Sequence, residues 1–585
     1  MKDTIILGVH YAHDATAALM INGEIVEAMS EERLTRLKKY TGFPKESVRY
    51  IKKKYNIETF PTVIVVGEPE HAFDAIFSDK ESNERSRKQE KKPQYFMRSI
   101  GFRFYPLGVL FSLYDWLREK KSTTGAEKRV RAFIAQEFPG SLVEYVPHHL
   151  AHAYAAVPFI SKTNKTLILT CDGAGDNLSA SVNMYENGKM SSVAKTKESS
   201  SLGYLYAAMT DFMGMNRNEH EFKVMGLAPY AKPASGEKVY NLLRELIWLD
   251  RDTLTFSSKY NMRNITPYFL AKEYFLYRFD SLAYGIQKLT EELLTQYVDS
   301  ALKKYEVSEV ALGGGVFMNV KANQKILELP SVKNLTVTPS CGDESLALGA
   351  CVYGHSKFFD YKNIKKIDNL YLGSEYTQEE VHKAIEEFNF TVPVDIKSYD
   401  RVKGESIEEV VGKLLSENNV VGRFSGRAEW GARALGNRSI LANPLSRDNV
   451  KVINEMIKNR DFWMPFATSL IEEDASVYLH NEKMESAPFM AITFETKEKA
   501  HKELTAALHP YDMTSRPQTV SRQINKKYYE LISHFKSITG VGGILNTSFN
   551  LHGEPNVETP YDALRTFDLS GMRYLAIGDY LISKK

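Results

Sequence analysis

Residues 5–29, IILGVHYAHDATAALMINGEIVEAM, are apolar up to an acidic turn, become apolar again, and then turn at Asn22-Gly23. Residues 167–194, LILTCDGAGDNLSASVNMYENGKMSSVA, repeat this order and turn at Asn187-Gly188. Because Asn-Gly suits the positive backbone dihedrals of a type I′ turn, each stretch predicts three strands with a hairpin between the last two. Two such copies predict a duplicated α/β unit whose acidic turns face one another across a cleft, and two unrelated β-meanders are the alternative.

Length and composition bound the class of protein. The chain has 585 residues, 43% hydrophobic and 25% charged, against about 100–150 residues in a typical domain, so it holds at least two globular cores. Its 75 basic and 73 acidic side chains leave a net charge of +2, which excludes a strong overall attraction to nucleic acid or an anionic membrane. Three scattered cysteines and only short apolar runs argue against a disulfide framework and a membrane helix, and predict a cytoplasmic protein.

A glycine run falls between a predicted strand and a predicted helix. Apolar spacing predicts a helix from Leu282 to Tyr305, and SEVALGGGVFMNVKANQKILEL after it predicts strand, turn and helix, with Gly313, Gly314 and Gly315 in the turn. Backbone N–H groups of such a turn can meet a phosphate, and the chain can pass close beneath a flat adenosine. Ordinary tight turns use the same residues, so this pattern alone leaves the role of the glycines open.

A change of composition marks the domain boundary. Residues 357–370, KFFDYKNIKKIDNL, are lysine-rich and lose periodicity, which predicts a linker between domains at 1–358 and 370–585. The segment Lys80–Arg103 carries eight basic and three acidic side chains. It is interpreted either as a solvated surface loop or as an insertion that contacts an anionic ligand.

A histidine pair indicates a metal site. His148 and His152 are four residues apart in VPHHLAHAYAA, so a helix would put both imidazoles on one face and point His149 elsewhere. Asp343, in PSCGDESLALGA, is a candidate third ligand, although spacing alone does not bring it to the histidines. Two histidines and a carboxylate with open positions suit Fe(II) or another divalent ion better than a closed zinc site. A core or surface role for the histidine pair is the alternative.

The two acidic turns supply Asp14 and Asp172. Carboxylates in such turns commonly orient a metal, its waters or a nucleophile beside a nucleotide. His13 precedes Asp14 and is a candidate general base, because an imidazole can take a proton from a hydroxyl near neutral pH. Taken singly, either turn would also be explained by an aspartate that only stabilises the turn.

The second domain concentrates side chains that bind anions. Guanidinium groups pair bidentately with phosphate oxygens, and Asn and Ser turns supply donors beside them. Scattered arginines also form surface ion pairs, but their position in Gly-, Asn- and Ser-bearing turns favours a polyphosphate site. The candidates are Arg427, Arg433, Arg438, Lys458, Arg460, Arg516, Asn546 and Ser548.

Together these motifs resemble the carbamoyltransferases typified by the nodulation protein NodU, the cephem enzyme CmcH and the tobramycin enzyme TobZ. The resemblance extends over nearly the whole chain. Its motifs are, in order, HDATAAL at 13–19, EERLTR at 31–36, HHLAHA at 148–153, CDGAGD at 171–176, KVMGLAPY at 223–230, GGGVFMN at 313–319, GDE at 342–344, GARALGNRSIL at 431–441, RPQTV at 516–520 and NTSFN at 546–550.

This resemblance implies a fold and an activity. The N-terminal domain would be Kae1-like, with the duplicated α/β ATPase fold of actin and Hsp70, and the C-terminal domain would be an α/β YrdC-like domain. The C-terminal domain would make carbamoyl adenylate from carbamoyl phosphate and ATP with Mg²⁺. The N-terminal domain would transfer the carbamoyl group to a hydroxyl of a small acceptor, sugar-like or a secondary metabolite. No membrane or nucleic-acid partner is implied, and assembly as a homodimer is left open.

The resemblance also implies roles for particular residues. It makes His148, His152 and Asp343 the ligands of a divalent metal, Fe(II) in the first place, with Asp172 close to that metal. It places His13 near the acceptor, and Lys38, in preference to Lys39, near the carbamoyl or phosphate group. Asp14 is a candidate catalytic residue by its position in the first acidic turn. It assigns ATP and carbamoyl phosphate to Arg433, Arg438, Arg460, Arg516, Asn546 and Ser548. Arg427 and Lys458 are candidates for the same ligands by residue type and position, and Gly313, Gly314, Gly315 and Asn319 are the candidates for a nucleotide in the first domain.

Two positions depart from the family pattern. Ala432 replaces the proline of the usual GPRALG, which loosens that turn, and Met513 replaces a glycine, so the backbone before Arg516 is expected to differ. Two other functions stay open. The first is threonylcarbamoyl transfer to transfer RNA, against which the charge balance counts. The second is a non-catalytic nucleotide-binding regulator related to Hsp70, which would leave the arginine-rich second domain unexplained.

Overall fold

The computed structural model describes residues 3–69, 125–161, 165–399, 404–458 and 461–585, so the basic segment Lys80–Arg103 lies outside the described residues. The chain divides into two compact units. Unit 1 consists of Met1–Glu31 and Lys39–Lys366, and unit 2 of Glu32–Lys38 and Ile367–Lys585. The chain therefore enters unit 2 briefly at the EERLTR motif. In the described part of the chain, no helix is both long enough and apolar enough to cross a membrane.

Unit 1 contains two five-stranded sheets built on the two repeated stretches, and a separate two-stranded sheet of Ile247–Asp250 and Thr255–Ser258. Within the described residues, the first has five strands in the order β3-β2-β1-β4-β5 and the second has five in the order β8-β7-β6-β11-β12. The strands of unit 1 are β1 (Ile5–His10), β2 (Thr16–Ile21), β3 (Glu24–Ser30), β4 (Thr62–Val66), β5 (Leu142–Val146), β6 (Thr166–Gly175), β7 (Leu178–Glu186), β8 (Lys189–Lys197), β9 (Ile247–Asp250), β10 (Thr255–Ser258), β11 (Glu309–Gly313) and β12 (Asn334–Val337).

The two sheets share their pairing as well as their order. β1 and β6 each pair antiparallel with the next strand and parallel with a later one, β4 or β11. The turn residues Asn22 and Gly23 have φ of 51° and 78°, and Asn187 and Gly188 have φ of 51° and 77°, as type I′ hairpins require. The predicted duplication is confirmed, and unit 1 is a mixed α/β fold.

The helices of unit 1 pack around these sheets, and the helix predicted from Leu282 is confirmed as α8. Two of them, α3 and α10, approach so closely that a Cβ at Gly349 would lie 1.9 Å from the carbonyl oxygen of Ala151. Only glycine permits this approach. The helices whose two ends are described are α1 (Glu31–Thr35, which begins in unit 1 and continues into unit 2), α2 (Lys45–Tyr55), α3 (His148–Ala156), α4 (Leu202–Phe212), α5 (Glu221–Leu227), α6 (Pro233–Leu243), α7 (Pro267–Tyr274), α8 (Phe279–Tyr305), α9 (Val320–Leu327) and α10 (Leu346–Phe358).

Unit 2 is also mixed α/β and has one large sheet. In its described residues, eight strands run in the order β13-β20-β19-β14-β15-β18-β16-β17. They are β13 (Val394–Ser398), β14 (Val421–Phe424), β15 (Arg438–Ala442), β16 (Ala467–Ile471), β17 (Pro517–Val520), β18 (Gly543–Ser548), β19 (Tyr574–Ile577) and β20 (Tyr580–Lys584). The helices are α11 (Gln378–Glu387), α12 (Ile407–Ser416), α13 (Asp448–Ile453), α14 (Ala475–Tyr478), α15 (Glu498–Glu503), α16 (Lys526–Thr539) and α17 (Pro560–Leu569). Its core includes the buried side chains of Phe424, Leu545, Phe549 and Phe567.

Candidate active site and metal centre

The two predicted ligand histidines lie on one face of α3. Nε2 of His148 is 3.1 Å from Nε2 of His152. His149 points elsewhere, with its Nδ1 2.8 Å from the hydroxyl of Thr170. His152 is completely buried and His148 is 7% exposed, so the pair is screened from bulk water. The four-residue spacing therefore has the geometric effect that the sequence predicts.

Asp172 and Asp343 complete a cluster of four side chains. Oδ2 of Asp172 is 2.9 Å from Nε2 of His152, and Oδ1 of Asp343 is 3.4 Å from the same atom. One ligand atom from each of the four residues lies within 4.8 Å of all the others. Asp343 reaches the histidines because it immediately precedes α10, which packs backbone to backbone against α3 at Gly349.

The donor set of this cluster fits a divalent cation. Nitrogen and oxygen ligands about 2.0–2.2 Å from one tetrahedral ion lie about 3.3 Å apart, close to the separations seen here. Two imidazole nitrogens 3.1 Å apart also need a proton or a cation between them, since two lone pairs would repel. Imidazole and carboxylate donors together suit iron, manganese and zinc, so the four side chains form a candidate metal site and do not distinguish between these metals.

Before a cation binds, the negative charges of the two carboxylates are offset by protonated histidine. Burial lowers the pKa of His152, but the hydrogen bonds and charges of Asp172 and Asp343 outweigh it and raise that pKa to about 9. Burial acts in the opposite sense on the two carboxyls, yet the neighbouring histidines hold the pKa of Asp172 and of Asp343 below its usual range. A bound divalent cation would supply the positive charge that a proton on His152 otherwise supplies.

His13 is the solvent-facing member of the site. Its side chain is 53% exposed, with Nε2 3.3 Å from Oδ2 of Asp343 and Nδ1 3.2 Å from Oδ2 of Asp14. The charge of Asp343 raises the pKa of His13 to about 9. An unbroken series of contacts thus joins Asp14 in the first acidic turn to Asp172 in the second. This geometry agrees with the sequence prediction that the two acidic turns face one another.

The lysine that contacts the acidic turn is Lys39. Its Nζ donates a hydrogen bond to Oδ2 of Asp14 at 2.8 Å. This charge helps to hold the pKa of Asp14 well below its usual range, although burial raises it. Lys38, the preferred candidate from sequence, belongs to the segment Glu32–Lys38 of unit 2. The backbone of Lys39 has a positive φ of 56°, so its side chain leaves the turn in a different direction from that of its neighbour.

The predicted glycine turn lies against the cluster of histidine and aspartate side chains. A Cβ at Gly315 would come within 3.2 Å of Oδ1 of Asp172, and Gly314 has a φ of 93°. The turn links β11 to α9, as the sequence predicts. Asn319 caps α9 by accepting the N–H of Ala322 and exchanges hydrogen bonds with Gln287, so its side chain is held within the fold of unit 1.

Sequence reasoning missed two buried groups beside these residues. Nε2 of His10 is 3.1 Å from the carbonyl oxygen of His13 and 3.7 Å from Oδ2 of Asp343. Glu344 is 9% exposed, and burial followed by the charge of Asp14 raises its pKa to about 7. His10 ends β1 three residues before His13, so its strand position was the available signal. Glu344 lies in the GDE motif at 342–344, and that motif was the available signal for it.

In unit 2, two candidate arginines bind the protein's own backbone. Nη1 of Arg438, which is completely buried, donates to the carbonyl oxygens of Ser425 and Gly426 at 3.1 and 3.2 Å. The guanidinium also stacks 3.6 Å from the centre of the Phe424 ring. Arg427 donates to the carbonyl oxygens of Gly373 and Leu372. These contacts tie loops together, and the predicted phosphate role of both residues stays a prediction.

Other candidates converge at the end of β18. Nζ of Lys458 donates to the hydroxyl of Ser548 at 3.1 Å and to its carbonyl oxygen. Asn546 lies two residues earlier and donates to the carbonyl oxygen of Ala434 at 3.1 Å, which places the turn containing Arg433 over this strand. Arg460 lies outside the described residues.

Arg516 precedes β17, which lies at one edge of the sheet beside β16. Met513, where the family pattern has glycine, adopts a φ of 58°. This left-handed conformation costs a residue other than glycine about 1–2 kcal/mol. The carbonyl oxygen of Met513 accepts a hydrogen bond from the Thr496 hydroxyl at 2.6 Å, which helps to hold this conformation.

The EERLTR motif has a structural role that was not predicted from its sequence. Within unit 2, Arg36 donates to the carbonyl oxygens of Asn556 and Pro555 at 2.7 and 2.8 Å, and Arg33 donates to that of Gly431 at 3.2 Å. In unit 1, the carboxylate of Glu31 accepts the backbone N–H of Ser47 at 2.8 Å. The motif is therefore anchored at both of its ends.

Comparison with known proteins agrees with the motifs. Residues 5–352 match the family described as Carbamoyltransferase N-terminus, and residues 412–584 match Carbamoyltransferase C-terminus. An uncharacterised protein of Methanocaldococcus jannaschii is 31% identical over 99% of this chain and 100% of its own length. Nodulation protein NolNO of Sinorhizobium fredii is 29% identical over 98% of this chain and 79% of its own. The 3'-hydroxymethylcephem-O-carbamoyltransferase of Amycolatopsis lactamdurans is 28% identical over 50% of this chain and 52% of its own.

Similarity to solved structures is weak. HypF in its phosphate- and nucleotide-bound form has a TM-score of 0.31 and 12% identity, over 60% of this chain and 55% of that chain. Component A of the (R)-2-hydroxyglutaryl-CoA dehydratase of Acidaminococcus fermentans has a TM-score of 0.31 and 11% identity, over 60% of this chain and 98% of its own. The fold class of the chain therefore rests on its own strand order. The two family matches cover most of the sequence, and the chain belongs to the carbamoyltransferase family of transferases.

Proposed function

We propose that this carbamoyltransferase moves a carbamoyl group from carbamoyl phosphate, through carbamoyl adenylate made with ATP and Mg²⁺, to a hydroxyl of a small molecule. The observation that carries the proposal is the buried cluster of His148, His152, Asp172 and Asp343 with the half-exposed imidazole of His13 at its edge. Among these five side chains His13 is the most exposed, at 53% against 15% for Asp172 and less for the other three, so a reactive group beside the cluster would meet solvent mainly on the side of His13.

The two steps are assigned to two domains, 1–358 and 370–585. The first is proposed to be Kae1-like, of the actin and Hsp70 type, and to transfer the carbamoyl group. Its repeated strand order supports this. The second is proposed to be YrdC-like and to make carbamoyl adenylate, with Lys458, Ser548, Arg433, Arg460 and Arg516 as the candidates for phosphate contacts. Adenylation makes AMP the leaving group of the transfer step.

The cluster in unit 1 is proposed to hold one divalent metal ion, with Fe(II) as the first candidate. Its ligands would be His148, His152 and Asp343, with Asp172 beside them. When bound, such an ion would supply positive charge that polarises a carbonyl or phosphoryl oxygen.

His13 is proposed to be the general base. A hydrogen bond from its Nδ1–H to Asp14 fixes the tautomer and leaves Nε2 to take the acceptor proton. The acceptor oxygen forms a bond to the carbamoyl carbon, the bond from that carbon to the phosphate oxygen breaks, and AMP leaves. A cation on Asp343 would offset the carboxylate that raises the pKa of His13 to about 9, and so favour the neutral imidazole that a base requires.

Lys39 is proposed to take the role that the sequence assigned first to Lys38. Its ammonium group is paired with Asp14. It therefore lies on the same side of His13 as that carboxylate and can meet the negative charge that develops on the carbamoyl or phosphate oxygens. The net charge of +2 supports a small hydroxylated acceptor, sugar-like or a secondary metabolite, rather than a nucleic acid.

The variant His13→Ala tests this assignment. With ATP, carbamoyl phosphate and a panel of hydroxylated metabolites, wild type should add one carbamoyl mass to an acceptor. His13→Ala should lose transfer by about 10²–10⁴-fold, as for a general base, while it still forms carbamoyl adenylate. The matched control is His382→Ala, whose side chain is 51% exposed in unit 2 and should leave both activities unchanged. Loss of both activities in His13→Ala, or of neither, would contradict the proposal.

A further inference from the structure

Asp176, the second acid of CDGAGD, occupies a tight turn at the end of the strand that carries Asp172. Gly175 pairs with Leu178, so only Asp176 and Asn177 lie between β6 and β7. Both have positive φ, 49° and 63°. Asp and Asn tolerate this conformation better than most residues, and two successive positive φ values make a hairpin turn of one defined shape. The carboxylate of Asp176 therefore leaves the strand in a fixed direction.

That carboxylate binds the start of the histidine helix. Its Oδ2 accepts the backbone N–H of His148 at 2.7 Å, and its Oδ1 accepts the N–H of Glu68 at 3.1 Å, just after β4. The residue before α3 is Pro147, whose side chain cannot accept a hydrogen bond. Asp176 thus caps α3 from a distant part of the chain, and its negative charge also favours the positive end of the helix dipole.

Packing at the neighbouring residue fixes the ring of His148. A Cβ at Gly175 would lie 2.1 Å from Cγ of His148, so the imidazole rests directly on the strand backbone. With Asp176 holding the first N–H of α3 and Gly175 supporting the ring, the helix has one position along β6. That position sets the distance between its histidines and Asp172, four residues before Asp176.

We infer that Asp176 is a positioning residue, which holds His148 and His152 in register with Asp172 and so sets the affinity of the cluster for a divalent cation. The inference rests on the metal site proposed above. Partners outside the ligand set typically change metal affinity by about 10–100-fold. Asp176 would act through the backbone of α3, and not by touching the metal or the substrate.

The test is a titration of the metal-free full-length protein with Co²⁺, followed by its visible absorption spectrum. Asp176→Ala should weaken Co²⁺ binding by about 10–100-fold and alter the spectrum. Asp176→Asn keeps one acceptor oxygen for the N–H of His148 and should recover most of the affinity. The matched control is Thr266→Ala, which removes the cap of α7 in the same unit, where the Thr266 hydroxyl accepts the N–H of Phe269 at 3.3 Å.

The outcomes separate the inference from the site on which it rests. Wild-type affinity in Asp176→Ala, or an equal loss in Thr266→Ala, would overturn the positioning role while the metal site stands. A wild-type protein that binds no Co²⁺ would overturn both. Circular dichroism of each variant checks that a loss of affinity is measured on folded protein.

Discussion

Buried polar groups in the two units are satisfied in opposite ways. In unit 1, the ligand atoms of His148, His152, Asp172 and Asp343 point at one another within 4.8 Å. In unit 2, the guanidinium of Arg438 points at carbonyl oxygens of neighbouring loops. Groups that converge on one point need a proton or a cation from outside, whereas a guanidinium on carbonyl oxygens is already part of the scaffold. A charged residue in a glycine-bearing turn can therefore hold the scaffold together, and its motif alone does not show whether it also binds a ligand.

The largest expected effect is that of replacing Arg438, which tests whether its guanidinium stabilises unit 2. Arg438→Leu removes the donor to the buried carbonyl oxygens of Ser425 and Gly426, so we expect a loss of about 2–5 kcal/mol in the free energy of unfolding. Denaturant unfolding followed by tryptophan fluorescence measures it, because Trp430 and Trp463 lie in unit 2. The exposed Arg447→Leu serves as the control. A variant as stable as wild type that has lost ATP binding would instead make Arg438 a phosphate ligand.

A smaller effect is expected in unit 1, where replacing Lys39 tests its role beside Asp14 and His13. Lys39→Met leaves Asp14 without its cation beside His13, so we expect carbamoyl transfer to fall by about 10²-fold while carbamoyl adenylate formation continues. The loss of transfer activity in Lys38→Met should be smaller than that in Lys39→Met by a factor of about ten or more, because Lys39 makes the contact with Asp14. Both rates come from product mass with a saturating acceptor. A greater loss in Lys38→Met would restore the assignment first made from sequence.

The features that could be predicted from the sequence are those that depend on residues close along the chain. The hairpins at Asn22-Gly23 and Asn187-Gly188 follow from the dihedrals that these residues favour, and the pairing of His148 with His152 follows from helical spacing. The duplication needed only the order of apolar and acidic residues. All of these depend on neighbours close along the chain.

Long-range packing decided the rest. Asp343 joins the histidines because α10 lies against α3 where Gly349 meets Ala151, a contact that no spacing encodes. The entry of Glu32–Lys38 into unit 2 depends on carbonyl oxygens about 400–500 residues later in the chain, at Gly431 and Asn556. The sequence did not separate Arg438 from the other candidate arginines, because its motif does not show that the side chain is buried.

The most direct test of the account is anomalous X-ray diffraction on crystals of the full-length protein soaked with Co²⁺. We predict one strong anomalous peak in unit 1, within bonding distance of Nε2 of His148 and Nε2 of His152 and of a carboxylate oxygen of Asp343. This peak should be lost in Asp343→Ala. Wild-type crystals in which the four side chains keep their hydrogen bonds to one another and show no peak would contradict the metal centre at the heart of the account.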